Sequence, residues 1–176
     1  MKYRLNTSPH IQTIYLRQNR FFPNSQLPVL IYREALNLPF QKIKASRVIQ
    51  HIFARNKWSN SWGNGIYDFH HYHSLTHECL AICKGWAYII VGGPGGRRIE
   101  LKRGDIIILP AGVGHMSKTK SVNFFCVGAY PGGKDYDIKK GEKEEFEKAV
   151  RKIKKVSVPK LDPLFGKEGF LRSYWK

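Results

Sequence analysis

Short runs rich in Ile, Val, Tyr and Phe recur through the middle of the chain, and Gly or Pro residues occupy most of the gaps between them. The runs are Gly65–His73, Cys79–Cys83, Trp86–Val91, Arg98–Lys102, Asp105–Leu109 and Val122–Tyr130. Runs of this length, separated by turn residues at this spacing, predict short antiparallel strands. We therefore predict a mainly β fold, a sandwich or a barrel, with a hairpin turn at the Gly-rich stretch 92–96.

Two segments outside this region have apolar residues at helical spacing. We predict amphipathic helices at Gln41–Lys57 and Glu142–Lys155, each packed on the sheet through its apolar face. In the second helix the acidic residues come early and the lysines late, which suits the helix dipole. Leu27–Tyr32 is expected to add an edge strand, and the tail Val158–Lys176 is expected to wrap over the surface.

The length of 176 residues predicts one structural domain. Its charge is unusual, because 30 Lys and Arg against 13 Asp and Glu give a net charge of +17. Residues 1–60 carry +9, residues 61–133 carry +3 and residues 134–176 carry +5. We interpret these regions as an N-terminal extension with the edge strand and first helix, a core, and a C-terminal helix with its tail.

Several classes of protein are excluded by what the chain lacks. No apolar run approaches the ~20 residues of a membrane-spanning helix. The first twenty residues contain no uninterrupted apolar stretch that could serve as the core of a secretory signal. Three cysteines, Cys79, Cys83 and Cys126, cannot all pair within one chain. We therefore do not expect a membrane protein or a secreted disulfide protein. We expect a cytoplasmic location.

The main chemical feature is a group of histidines, five of the seven lying between positions 70 and 115. In a strand, residues i and i+2 point to the same face, so His71 and His73 can converge on one metal ion. Glu78 follows after a predicted bend and offers an anionic oxygen, and His115 comes after the turn 110–114. Two or three imidazoles with one carboxylate are typical ligands of a mononuclear first-row metal site.

Other residues close to these four leave alternatives open. His77 adjoins Glu78, so a slip of one residue would bring His77 to the metal in its place. Cys79 and Cys83 could bind Zn²⁺, although two cysteines in apolar surroundings are more often small buried hydrophobes. An isolated His-x-His pair is about as typical of histidines that only pack or form hydrogen bonds as it is of a metal site.

Two aromatic residues precede the histidines on the same predicted strand face. Tyr67 and Phe69 share the face of His71 and His73, because each is an even number of residues away. They are candidates for a substrate pocket beneath the metal. Packing of the fold interior is an equally good interpretation, and the two are compatible.

The spacing of the whole run is more specific than any pair within it. In the first block, five residues separate Gly65 from His71 and one separates His71 from His73. Four residues then separate His73 from Glu78, and six separate Glu78 from Gly85. In the second block, five residues separate Gly104 from Pro110, one separates Pro110 from Gly112, and two separate Gly112 from His115. At these positions the chain resembles a cupin, since both cupin signature motifs are present in order, separated by residues 86–103.

The resemblance covers roughly residues 27–166, is strongest at 65–131, and is to the YjlB-like branch of the cupins. It implies a single jelly-roll β-barrel of the RmlC-like type, with flanking N- and C-terminal helices and a metal inside its mouth. By resemblance, the metal ligands are His71, His73, Glu78 and His115. The resemblance also implies a divalent transition metal (Fe, Mn, Ni, Zn or Co) and a homodimer. One departure is Thr119, at a position where cupins often carry Asn.

The leading functional hypothesis is a metal-dependent enzyme of the oxygenase or isomerase type, acting on a small anionic or oxygen-rich metabolite. Three neutral imidazoles and one carboxylate leave a divalent ion with a net charge of about +1, which favours anionic ligands. The alternative is a non-catalytic cupin that binds or senses a metal or a small molecule. A third hypothesis is non-specific nucleic-acid binding through the basic flanks, since clustered cations attract phosphate. No nucleic-acid-binding motif is evident, and no membrane partner is expected.

Overall fold

The computed structural model describes residues 4–176, so the first three residues of the predicted N-terminal extension lie outside it. A larger sheet has the strand order β2 (His10–Ile14), β3 (Val29–Arg33), β9 (Ile106–Leu109), β6 (Glu78–Lys84), β11 (Phe125–Pro131), β5 (Trp58–Asn64). A smaller sheet has the order β10 (His115–Lys120), β7 (Trp86–Val91), β8 (Arg97–Lys102). Two short strands, β1 (Arg4–Leu5) and β4 (Leu36–Asn37), form a separate pair. All neighbours are antiparallel, and the prediction of a mainly β fold is confirmed.

The central strands of the larger sheet are buried on both faces. Along β6, Leu80 and Ile82 belong to an apolar cluster shared with the smaller sheet. Cys79, Ala81 and Cys83 alternate with them and belong to a second cluster on the opposite face. A strand covered on both faces reads as a continuous apolar run, which is why β6 could be located from its sequence. Hydrogen bonds do not close a barrel among residues 4–176, and the two sheets meet by packing.

Helix α1 and the C-terminal tail cover the outer face of the larger sheet. Helix α1 (Lys42–Arg55) buries five apolar residues, Ala45, Val48, Ile49, Ile52 and Phe53. Helix α2 (Lys143–Ile153) has acidic residues in its first turn and basic residues in its last. Both predicted helices are present, and α1 packs on the larger sheet as predicted. Helix α2 instead buries Ala149 against Phe22 and Tyr72, which belong to neither sheet. A short helix α3 (Leu171–Tyr174) is added in the tail. Within the described residues, no helix is long and apolar enough to cross a membrane.

The tail is fastened to the sheet by one buried carboxylate. Asp162 accepts a hydrogen bond of 2.6 Å from the Tyr32 hydroxyl and another of 3.1 Å from the Leu171 amide, and two more backbone amides bind its second oxygen. Near the end of the chain, the Trp175 indole donates to the carbonyl of Pro28 at 2.8 Å. The tail therefore wraps, as predicted, over the second apolar cluster, which lies on the outer face of the larger sheet and is called the outer cluster below.

Two strand predictions need correction. The predicted edge strand at Leu27–Tyr32 is interior, because β2, which the sequence did not reveal, pairs with β3 on its outer side. The predicted strand Gly65–His73 is not continuous. The ladder of β5 ends at Asn64, whose side-chain oxygen accepts the Gly65 amide at 2.8 Å. Residues 65–73 then rejoin the smaller sheet through an isolated bridge, His71 to His115, and through the Ser117 amide, which donates to the Tyr67 carbonyl at 2.8 Å.

Candidate metal centre

An isolated bridge brings the backbones of His71 and His115 together. The His71 amide donates to the His115 carbonyl at 3.1 Å, and the His115 amide donates back at 2.8 Å. The two imidazole rings lie 4.1 Å apart between centroids. The ring of His73, two residues further along, lies 5.5 Å from that of His71 and 5.6 Å from that of His115. The predicted convergence of these side chains therefore occurs without a continuous strand.

The residues between and beside these histidines point the other way. His70 and Tyr72 each lie against the Phe22 ring, with centroid distances of 5.8 Å. Tyr72 is fully buried there, in a small cluster that includes Ala149 of α2. The alternation expected of an extended backbone is thus retained, and it separates the three clustered rings from their neighbours.

Each clustered imidazole is oriented by a backbone carbonyl. The contacts are His71 Nδ1 with Phe69 O at 3.1 Å, His73 Nδ1 with Asp137 O, and His115 Nδ1 with Val113 O at 3.0 Å. A carbonyl oxygen only accepts, so in the neutral ring Nδ1 carries the proton and Nε2 presents a lone pair. This arrangement of the second nitrogen is usual for metal-binding histidine.

The ligating atoms lie at distances that suit one ion. The ligand atoms of His71, His73 and His115 all lie within 4.8 Å of one another. Glu78 Oε2 lies 3.3 Å from His73 Nε2 and 3.4 Å from His115 Nε2. Two ligands each ~2.0–2.2 Å from one ion lie about 3–3.5 Å from each other. The two distances to Glu78 therefore match those of ligands that share one ion, and the three imidazoles could hold a transition metal.

Two aromatic residues hold the other oxygen of the carboxylate. Glu78 Oε1 accepts a hydrogen bond of 2.9 Å from the Tyr130 hydroxyl, which in turn accepts one of 2.8 Å from the Trp62 indole. Burial, with the charge of Glu78, keeps the pKa of Tyr130 far above its usual range, so the hydroxyl stays protonated and donates. Trp62 lies in β5 and Tyr130 in β11, so the larger sheet itself positions Glu78.

The charges of the cluster are strongly coupled. Burial lowers the pKa of His71 to about 3, helped by the neighbouring His115. Burial also opposes protonation of His73, but the Glu78 carboxylate outweighs it and raises the pKa of His73. Burial alone would raise the pKa of Glu78, yet His73 and His115 hold it well below its usual range. The site therefore keeps an ionised carboxylate and a neutral His71 at neutral pH.

The alternative ligands lie elsewhere. His77 is buried, accepts the Ala111 amide on Nδ1 at 3.0 Å, and lies 4.7 Å from the Trp175 ring. Burial lowers its pKa to about 4. Cys79 and Cys83 are buried in the outer cluster, where burial raises the pKa of the Cys83 thiol to about 12. The structure does not bring these three side chains to the histidine cluster, and both cysteines pack as small hydrophobes.

A cavity of about 210 Å³ opens beside the cluster. Its aromatic lining residues are Trp62, Tyr67, Tyr130 and Tyr136. Of the two predicted pocket residues, Tyr67 lines the cavity and Phe69 does not. Phe69 stacks against Tyr67 with a centroid distance of 4.9 Å. Tyr67 therefore stays a candidate pocket residue, and Phe69 supports its ring from behind.

The segment after β11 also contributes to the site, and sequence reasoning missed it. The carboxylate of Asp137 accepts hydrogen bonds from the amide and hydroxyl of Ser74, while its carbonyl holds His73. These contacts bring Tyr136 to the cavity, 5.2 Å from the ring of His73. No local pattern distinguishes Asp137 among the 13 acidic residues, because its partners lie more than sixty positions away.

Comparison with known proteins places the chain in a family. It is 39% identical over 165 residues to "Uncharacterized protein YjlB" of Bacillus subtilis (strain 168), an alignment that covers 93% of this chain and 96% of that protein. The chain belongs to the YjlB family. No family model matches this YjlB-family chain.

Solved structures give more distant likenesses. An acireductone dioxygenase from Bacillus anthracis, with a cadmium ion in its active centre, is 17% identical with a TM-score of 0.38. The alignment covers 52% of this chain and 61% of the dioxygenase, less than two thirds of its length. Procruciferin, an 11S globulin from Brassica napus, is 16% identical with a TM-score of 0.37, over 55% of this chain and 30% of the globulin. At these scores the likenesses carry no argument about function.

Proposed function

We propose that this YjlB-family protein is a cupin that binds a divalent transition-metal ion through His71, His73, His115 and Glu78. The observation that carries the proposal is the orientation of the rings. Three buried Nδ1 atoms are each engaged by a backbone carbonyl, which in the neutral rings leaves three Nε2 lone pairs beside one buried carboxylate. A set rich in imidazole favours Mn, Fe, Co, Ni or Zn over Mg.

The proposed activity is that of a metal-dependent enzyme, an oxygenase or isomerase, acting on a small anionic or oxygen-rich compound. A bound ion supplies Lewis acidity to a ligand in the adjoining cavity. The chain's own residues hold the donor set in place. Tyr130 fixes the Glu78 carboxylate, and the carbonyl of Asp137 fixes the ring of His73.

Metal analysis of the untagged chain tests the proposal. We expect about one ion per chain after reconstitution, and near-complete loss in His71→Ala and His115→Ala, because each removes a lone pair from a buried set. The matched control is His70→Ala, since His70 lies on the opposite side against Phe22. A chelator should lower the melting temperature of the wild type, and Mn²⁺ or Co²⁺ should restore it better than Mg²⁺.

The result that contradicts the metal centre is equally definite. A folded His71→Ala variant that retains full metal content, or a loss confined to His70→Ala, would show that the ion lies elsewhere. A loaded protein that binds small anions without converting any of them would support the non-catalytic alternative over the enzyme.

A further inference from the structure

The cavity beside the histidine cluster has a flat wall at Tyr67. This ring lies 5.1 Å from that of His71, with 85° between their planes. Its stacked partner Phe69 does not line the cavity and therefore backs the wall from the far side. Tyr67 remains 46% exposed despite these contacts. A supported aromatic face left open at a cavity is suited to stacking against a planar ligand.

A second wall has the same construction. Tyr136 lies 5.2 Å from the ring of His73 and stacks on Tyr130 at 4.9 Å, with only 21° between the two planes. Tyr130 is itself held by Glu78 and Trp62, so this pair is fixed from below. Tyr136 is 40% exposed. Each wall therefore pairs an open ring with a supporting ring, next to a different histidine.

The size of the cavity restricts what can lie between the walls. Its 210 Å³ corresponds to the volume of about seven water molecules. Cavities for drug-sized ligands begin at roughly 300 Å³. The space therefore suits a compound with one ring and a small polar group.

Charge at the cavity favours an anion. Glu78 is the one acidic residue among the lining residues, and the proposed ion more than balances it. The Lys120 amine lies at the rim, 3.5 Å from where a Cβ on the lining residue Gly65 would stand. Among residues 4–176 Lys120 forms no ion pair, so its charge remains available.

We infer that this cavity selects a small planar anion, an aromatic or conjugated carboxylate whose ring stacks on Tyr67 or Tyr136. The inference rests on the proposed metal centre, towards which the carboxylate would point. A planar neutral compound would lack the attraction to the ion and to Lys120. A non-planar anion of equal size would lack the stacking.

Three probe compounds with the same number of non-hydrogen atoms separate these contributions. Benzoate is planar and charged, cyclohexanecarboxylate is charged but not planar, and benzamide is planar but neutral. Calorimetric titration of the Co²⁺-loaded full chain should show benzoate binding about tenfold more tightly than either control, as expected for one added stacking or charge contact. The metal content of each sample is measured alongside.

Variants assign each preference to a side chain. Tyr67→Leu and Tyr136→Leu should reduce the preference for benzoate over cyclohexanecarboxylate, and either variant suffices if the other fails to fold. Lys120→Gln should reduce the preference for benzoate over benzamide by about threefold. Lys118→Gln is the matched control, because Lys118 lies in the same strand but its amine is not beside the lining residue Gly65.

The outcomes separate this inference from the metal proposal. Samples that hold no metal at the cluster would refute the proposed centre. Samples that are fully loaded but bind benzoate no better than cyclohexanecarboxylate and benzamide would refute the inference and leave the centre standing. Equal effects of Lys118→Gln and Lys120→Gln would refute the role of Lys120.

Discussion

Replacing Tyr130 with Phe removes one hydroxyl from the support of the metal centre and changes little else. In the wild type that hydroxyl donates to Glu78 Oε1 at 2.9 Å and accepts from the Trp62 indole at 2.8 Å. The ring of Phe would keep the stack on Tyr136 and the packing in β11. Tyr130→Phe therefore tests whether the carboxylate needs a fixed orientation to take part in the site.

The size of the effect follows from the two lost contacts. A hydrogen bond to a buried carboxylate contributes about 1.5–3 kcal/mol, and the indole that loses its acceptor adds a smaller cost because Trp62 is half-buried. We expect the free energy of unfolding of the metal-free protein to fall by about 2–3 kcal/mol. Loss of a group that orients a metal ligand typically costs about 10–100-fold in metal affinity, and we expect a loss within that range.

Urea unfolding of the metal-free protein and competition titration with a chelator measure the two quantities separately. Tyr88→Phe is the matched control, because the Tyr88 hydroxyl makes no hydrogen bond within the part of the chain that is described. It should change stability by less than about 0.5 kcal/mol. If Tyr130→Phe binds metal as tightly as the wild type, then Glu78 is either not a ligand or not held by this hydroxyl.

Two further predictions concern stability. His77 is buried with its pKa lowered to about 4, so between about pH 6.5 and pH 4 the unfolded chain binds more protons than the folded one. Metal-free protein should therefore lose about 2 kcal/mol from this group between pH 7 and pH 5, and urea unfolding of His77→Gln should show a weaker pH dependence over that interval. Asp162→Ala leaves the Tyr32 hydroxyl and three amides without their acceptor, and should lower the free energy of unfolding by about 4 kcal/mol. A loss below about 1 kcal/mol in the same assay would show that the tail is not held by this carboxylate.

The apolar spacing and turn residues of short sequence segments were sufficient to predict many of the strands and both long helices. Six elements begin and end within two residues of their predicted bounds, namely the strands β6, β7, β8 and β9 and both long helices. Each is a run whose apolar spacing and flanking turn residues lie within a few positions of one another. The convergence of His71 and His73 was predictable for a similar reason, since it requires only an extended backbone and not a complete ladder.

The supporting part of the site depended on strand register, which the sequence does not reveal. Trp62 lies opposite Gly128 in the β5–β11 pair. A Cβ at Gly128 would clash with the indole, so the indole can cross β11 only because that residue is Gly. A shift of one residue would reverse every side chain of β5 and separate Trp62 from Tyr130.

The backbone carbonyl that orients the His73 ring comes from a distant part of the chain, whereas the carbonyls that orient His71 and His115 are close in sequence. Phe69 and Val113 each lie two residues before the histidine they orient, so these contacts can form within a short segment. The carbonyl that holds His73 belongs to Asp137, 64 positions away. The complete donor set therefore exists only when the segment after β11 has docked, and metal binding should be coupled to the folded state. Because the same segment carries Tyr136, docking it also completes the second cavity wall, so the proposed metal and ligand sites form in one step.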